Sequence, residues 1–218
     1  AIVSQLLTFA RKTEAVFESI DVNTALENVV TIMRSALPKS INISTTLAPD
    51  MPPVWADKNQ ISQALLNLCV NARDAIVATD VGGNGKGSLS LCTRIVEHQG
   101  LHTRFADAAP GRYVDITATD DGVGMNEVTK NRIFEPFFST KEPGKGTGLG
   151  LAVVYGVMKS HQGFIDVEST LGKGTTFHLY FPIREEVMLE EKGPYEKHAA
   201  LRGAGHTLLI IEDEEELL

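Results

Sequence analysis

Apolar positions recur along the chain with two periods, and the switches between them mark out the elements. Ile2, Leu6, Phe9 and Ala10 fall at helical spacing and predict the trailing part of a helix over residues 2–18. Asp21 or Asn23 offers a side-chain cap for a second helix running to Leu37, where Pro38 stops it. Residues 41–47 alternate as a strand does, and Pro49-Asp50-Met51-Pro52-Pro53 ends it because proline cannot donate to a sheet ladder. Val54–Ala56 reads as a short strand, and Asp57 caps a long helix to about Thr79. The cluster Gly82-Gly83-Asn84-Gly85-Lys86-Gly87 reads as a turn. Residues 88–97 and 112–119 predict antiparallel strands joined through a polar loop around Gly100 to Gly111. Residues 121–147 are punctuated by Gly, Pro and Lys and leave room for one short helical stretch. A helix over 148–161, ended by Gly163, is followed by a hairpin of 164–169 and 175–183 around Leu171-Gly172-Lys173-Gly174. The pattern predicts an α+β fold of two layers, a mixed, mostly antiparallel sheet with helices on one face.

Charge changes the picture only once it is located. The 218 residues carry a formal net charge of -8. Residues 1–184 hold 17 Lys/Arg against 18 Asp/Glu, and residues 185–218 hold 3 against 10. The acidity therefore sits in the tail, and the body lacks the basic field that nucleic acid requires. No apolar run approaches the roughly 18 residues of a membrane span, and no leader-like start is present, so membrane contact is not expected. Cys69 and Cys92 stand singly, without CxxC pairing, which disfavours a disulfide scaffold or zinc site and fits a reducing, cytoplasmic compartment. The chain opens in mid-pattern, as a piece of something longer would. Residues 185–205 are linker-like, and 206–218 begin a fresh apolar strand running into Glu212-Asp213-Glu214-Glu215-Glu216.

Candidate chemistry lies in three glycine- and amide-rich constellations. On the helix over 57–79, Gln60, Gln63, Asn67, Asn71 and Asp74 share one narrow stripe at about 100° per residue, while most of the remaining surface is apolar. Solvent-facing strips are usually rich in Lys and Glu, whereas Asn67 and Asn71, four apart, are placed to offer two carbonyl oxygens to one hard cation or its waters; a solvent-facing polar strip is the alternative. Thr119-Asp120-Asp121-Gly122-Val123-Gly124-Met125 follows a strand directly. The glycines let backbone close on a ligand while a carboxylate accepts from an exocyclic amine such as that of adenine; taken alone, the same residues describe an Asp-Gly turn. Gly144-Lys145-Gly146-Thr147-Gly148-Leu149-Gly150-Leu151 enters a helix and exposes N–H groups suited to phosphate. It is neither a GxxxxGK[ST] loop nor a GxGxxG fingerprint, since its glycines alternate strictly. Between these lies Arg132-Ile133-Phe134-Glu135-Pro136-Phe137-Phe138-Ser139-Thr140-Lys141. Its three aromatic rings need burial, as a lid over a site would give them, and Arg132, Lys141 and Lys145 are within reach of phosphate oxygens there; a surface loop with a satellite apolar cluster is the alternative.

In this order the segments resemble the catalytic, ATP-binding domain of sensor histidine kinases, within the gyrase/chaperone/kinase/MutL ATPase superfamily. Asn67-Leu68-Cys69-Val70-Asn71-Ala72 resembles the asparagine box, 120–124 and 144–150 the two glycine boxes, 134–138 the phenylalanine box, and Gly172-Lys173-Gly174-Thr175-Thr176-Phe177 the closing glycine-threonine segment. The resemblance implies a Bergerat-type fold binding ATP and Mg2+, with Asn71 as metal ligand and Asn67 beside it. It implies that Asp120 bonds the adenine amino group with support from Thr175. It also implies that Gly122, Gly124, Met125 and Phe138 shape the pocket, and that Gly146, Thr147, Gly148, Leu149 and Gly150 cradle phosphates. Asn67, Lys141 and Arg132 are the implied catalytic group, the latter two neutralising the γ-phosphate. Where some members carry a basic residue three after the magnesium asparagine, this chain has Asp74, and Arg73 is the possible substitute. The superfamily's hydrolases place a glutamate where Asn67 stands, so phosphoryl transfer rather than hydrolysis is implied.

The implied acceptor is a histidine on an upstream hairpin, of which 1–18 would be the end; the first histidine here is His98. Residues 19–184 would form the kinase domain, and Thr207 to Glu214 resemble the start of a receiver domain, with an acidic tail as the alternative. Expected partners are thus that hairpin and a receiver domain or response regulator. A degenerate module making protein contacts without turnover is the competing function.

Overall fold

The computed structural model describes residues 15–79, 86–142 and 146–184. The helix expected over 2–14, the glycine turn at 82–85, and the linker and receiver-like strand beyond 184 lie outside the described residues. In chain order the elements are β1 (Glu18–Ile20), α1 (Val22–Ala36), β2 (Ile41–Thr46), β3 (Val54–Ala56), α2 (Lys58–Ala78), β4 (Gly87–Glu97), α3 (His98–His102), β5 (Arg112–Asp120), α4 (Glu127–Lys130), α5 (Gly150–Ser160), β6 (Phe164–Thr170) and β7 (Gly174–Pro182).

One five-stranded sheet runs β2-β4-β5-β7-β6, with β2 parallel to β4 and every other pairing antiparallel. Side chains alternate across it. Val114, Ile116 and Ala118 of β5, with Phe177, Leu179 and Phe181 of β7, point to the face covered by α1, α2 and α5, where Leu65, Leu68, Val154 and Met158 meet them. The same parity sends Asp120 and Thr175 to the helix side, at the end of the central strands. The opposite face carries polar groups, among them fully buried Asp115, which accepts from Arg94 Nε at 2.8 Å and lies 3.2 Å from His178 Nδ1. The one-turn α3, unforeseen from the sequence, packs Leu101 against Tyr113 and Tyr180 on that face. Both cysteines are free, and burial pushes the Cys69 thiol up to about 12, so this sulfur fills core space.

The helix expected to reach residue 18 does not do so. Glu18 opens β1, which pairs with β3 in the register Glu18↔Ala56, Ser19↔Trp55, Ile20↔Val54. The sequence concealed this because three residues are too few to show a period and the partner strand is remote. Where both Asp21 and Asn23 were candidate caps, Asp21 does the capping, accepting from the N–H groups of Asn23 and Thr24. Asn23 instead donates to Ala48 O and accepts from Thr93 Oγ1.

Asp57 is a junction. Its Oδ1 caps α2 through Asn59 and Gln60, its Oδ2 accepts from Val16 N–H at 2.9 Å, and its own N–H donates to His161 Nε2 at 3.0 Å. Since Nε2 accepts, the ring proton sits on Nδ1, 2.7 Å from Val157 O at the end of α5. Burial holds the His161 pKa below its usual value against the opposing pull of Val157 O and the Asp57 charge. The unfolded chain therefore takes up a proton that the folded one resists, so the contribution of His161 is complete above about pH 6.5 and declines as pH falls below it. Replacing His161 by Ala is expected to cost about 2–4 kcal/mol, combining lost packing with an orphaned buried N–H. Urea unfolding at pH 7.5 and 5.5 checks both the loss and a flatter pH dependence in the variant.

Candidate functional site

A cavity of about 630 Å³ opens between the helix layer and the end of the central strands, within the range of small-molecule sites. One wall is α2, which turns Asn67, Val70, Asn71, Asp74 and Ala78 toward it. These positions recur at helical spacing. Of the five-residue polar stripe only the second half reaches the cavity. Gln60 accepts from Ser160 Oγ at 3.2 Å instead, and Gln63 is exposed. The remaining walls are Asp120, Val123, Gly124 and Met125 after β5, Thr129 to Lys141 in part, Gly146 to Gly148 with Gly150 and Leu151 at the start of α5, and Thr175 and Phe177 of β7.

The two adjacent aspartates have separate duties. Asp121 accepts from Ser88 N–H and Oγ, both at 2.8 Å, and fastens the loop to β4. Asp120 ends β5 opposite Thr175, accepts from Gly122 N–H at 2.8 Å, and is buried. Burial lifts its carboxyl to about 6, although N–H groups of Gly122 and Thr175 pull the other way. A buried carboxyl of that kind at a cavity wall is poised to meet a donor. Thr175 Oγ1 lies 2.9 Å from Ser169 Oγ, and Ser169 also accepts from Met125 N–H, so one serine sets both neighbours. Ser169 carries no motif signal in the sequence, because its importance comes only from strand pairing.

Asn67 and Asn71 flank the start of α5: a Cβ built on Gly150 would sit 3.7 Å from Asn71 Nδ2 and 3.8 Å from Asn67 Oδ1. Neither amide makes a hydrogen bond to another described residue, so both retain full capacity for a ligand. Among the described residues no three or more His, Cys, Asp or Glu gather into a metal cage. The side-chain amide oxygens of Asn67 and Asn71 are hard donors of the kind a small divalent cation accepts.

Three implied residues line no part of the cavity. Gly122 is needed for a different closeness, since a Cβ there would come 2.6 Å from Ala75 backbone. Leu149 is buried and flanks α5. Arg132 pairs with Glu135 at 3.0 Å and stacks 4.4 Å over the Phe138 ring, which does reach the cavity. Gly148, at φ 66, lies so close to Phe137 that any Cβ would meet its carbonyl oxygen at 2.6 Å, and Phe137 N–H donates to Gly148 O at 2.9 Å. The phenylalanine segment and the glycine segment are thus laced together. Gly144 and Lys145 lie outside the described residues.

Sequence reasoning did not foresee the pairing of Asp74. Its Oδ1 accepts from Arg73 Nε and Nη2 at 2.8 and 2.7 Å, and its Oδ2 from Lys141 Nζ. Burial acts to raise its pKa, but hydrogen bonds and charge from Lys141 and Arg73 outweigh it and hold the carboxylate below its usual range. Arg73, the possible phosphate cation, is thereby already engaged.

The chain belongs to the histidine kinase-, DNA gyrase B- and HSP90-like ATPase family, whose pattern matches residues 56–185. It is 36% identical over 223 residues to the sensor kinase CckA of Brucella abortus (strain 2308), covering 99% of this chain and 23% of that protein. It is 33% identical over 183 residues to the sensor histidine kinase ZraS of Klebsiella oxytoca, covering 84% of this chain and 35% of the relative. The full-length ShkA structure, solved in complex with AMPPNP, superposes with a TM-score of 0.64 at 26% identity over 83% of this chain and 35% of that one. The catalytic domain of histidine kinase ThkA gives 0.59 at 26% identity over 77% and 96%. The chain thus spans between about a quarter and a third of these two curated relatives. No helix among the described residues is long and apolar enough to cross a membrane.

Proposed function

We propose that this chain is the ATP-binding catalytic part of a two-component sensor histidine kinase, transferring the γ-phosphoryl group of Mg-ATP to a histidine on a hairpin upstream of residue 19. The observation that carries the reading is the convergence of Asp120, Asn67, Asn71 and the start of α5 on one cavity. Asp120 accepts from the adenine amino group, Thr175 steadies that end of the site, and Met125, Gly124 and Phe138 line it. Asn71 would hold the Mg2+, which when bound would neutralise phosphate oxygens. Asn67 stands beside it and has no basic electron pair with which to activate water, which favours transfer over hydrolysis. Gly146, Thr147, Gly148 and Gly150 present backbone to the phosphates, and Lys141 meets the terminal one. Arg132 acts at one remove, by orienting Phe138. In the transfer the terminal P–O bond breaks with its electron pair leaving on ADP, a P–N bond forms to imidazole, and the imidazole proton passes to solvent.

The AMPPNP complex of ShkA and the names of the sequence relatives support this reading. Residues 206–218 lead into a receiver domain, the onward partner is a receiver or response regulator, and the compartment is the cytoplasm. The test is calorimetric titration with ATP, with and without Mg2+, followed by γ-labelled ATP and the separately produced hairpin. Mg2+-dependent heat and acid-labile label on the hairpin are expected, with little phosphate released by the chain alone. No heat overturns nucleotide binding, heat without labelling favours a binding module, and sustained phosphate release favours a hydrolase.

A further inference from the structure

Among the described residues the cationic side chains lining the cavity are Arg73 and Lys141, and both are engaged by one carboxylate. Asp74 lies one turn beyond Asn71 on the same face of α2. Lys141 reaches it from 67 residues further along the chain, so the pair ties the segment around Ser139 to the helix. The side chains of Lys141 and Asp74 are 34% and 25% exposed, which leaves them less screened than a surface pair. Gly146 makes room for this reach: a Cβ there would crowd Lys141 Cδ at 3.1 Å and Ser139 Oγ at 2.9 Å. Arg73 binds only Oδ1 and Lys141 only Oδ2, so the two cations hold separate oxygens.

That division has a consequence for a polyanion entering beside Asn71. Its terminal phosphate competes with Oδ2 for the Lys141 ammonium. When the lysine leaves, Arg73 stays on Oδ1, and Asp74 is not stranded as an unpaired, partly buried charge. We propose that Asp74 is a positioning residue that parks Lys141 on α2 in the nucleotide-free protein and yields it to the terminal phosphate of a nucleoside triphosphate. The inference rests on reading the cavity as a nucleotide site.

Asp74→Asn keeps the shape and removes the competing charge. Binding of AMPPNP with Mg2+ is expected to tighten about threefold to tenfold, and that of ADP by less than about twofold. Lys141→Met is expected to erase the triphosphate preference, and Asp74→Asn added to it should change nothing further. Asp74→Glu should restore wild-type behaviour. Without nucleotide, amide exchange over residues 137–142 should quicken in both single variants, with melting temperatures showing that each folds. Unchanged or weaker AMPPNP binding in Asp74→Asn, or a tightening that survives in the Lys141→Met background, overturns the proposal. If the wild-type chain binds no nucleotide, the functional reading fails, while nucleotide-free exchange still reports whether the pair holds the segment: no quickening refutes the parking.

Discussion

Asp120→Asn is expected to weaken ATP binding by about 100-fold, the scale of losing a charge-assisted bond in a buried site and presenting a second donor to an amine. The fold should survive, because Asn retains an oxygen for the Gly122 N–H. The wild-type protein also makes a pH prediction. With the free carboxyl at about 6 and an ordinary value of 3.8, the folded protein holds a proton that the unfolded chain releases between those values. Asp120 therefore stabilises the nucleotide-free fold most below pH 3.8, and that contribution is lost as pH rises through 6. A donor amine favours the ionised form, so the sign for binding is opposite: affinity rises as the proton leaves, by about tenfold from pH 5 to pH 7. Calorimetry across that range, with the proton count taken from buffers of different ionisation heat, checks the sign. Asn at this position binding as tightly as Asp would remove the carboxylate from the site.

Asn71→Ala should separate metal from nucleotide. Mg2+ is expected to strengthen ATP binding to the wild-type chain, and that gain should shrink by on the order of 10- to 100-fold in the variant. Alanine is a strong helix former, so α2 should persist and the thermal midpoint should change little. Titrating ATP into both proteins in EDTA and in excess Mg2+ makes the comparison. Equal gains in the two would show that the metal is held without this amide.

How much of this was legible follows from the range of each interaction. Asp21 and Asp57 were readable as caps because a cap sits next to the apolar pattern it starts. Asp120 was readable because a strand pattern ends on it and glycines follow. The asparagines stood out because amides replaced the usual charges on an otherwise apolar helix. What escaped depends on chain segments far apart. Strand β1 exists through a partner 36 residues away, α3 offers Leu101 as its one buried side chain, and Gly122 is required by Ala75 on another element. Asp74 read as a departure from a basic position, yet it gathers the cations a basic residue would have supplied.

The Asp57 junction carries a mechanical implication. The Val16 N–H is held by a carboxylate that also anchors the first turn of α2, and the Asp57 amide reaches the last turn of α5 through the His161 imidazole. Those two rods line the cavity, so a displacement of the backbone at Val16 is expected to be felt by both of them.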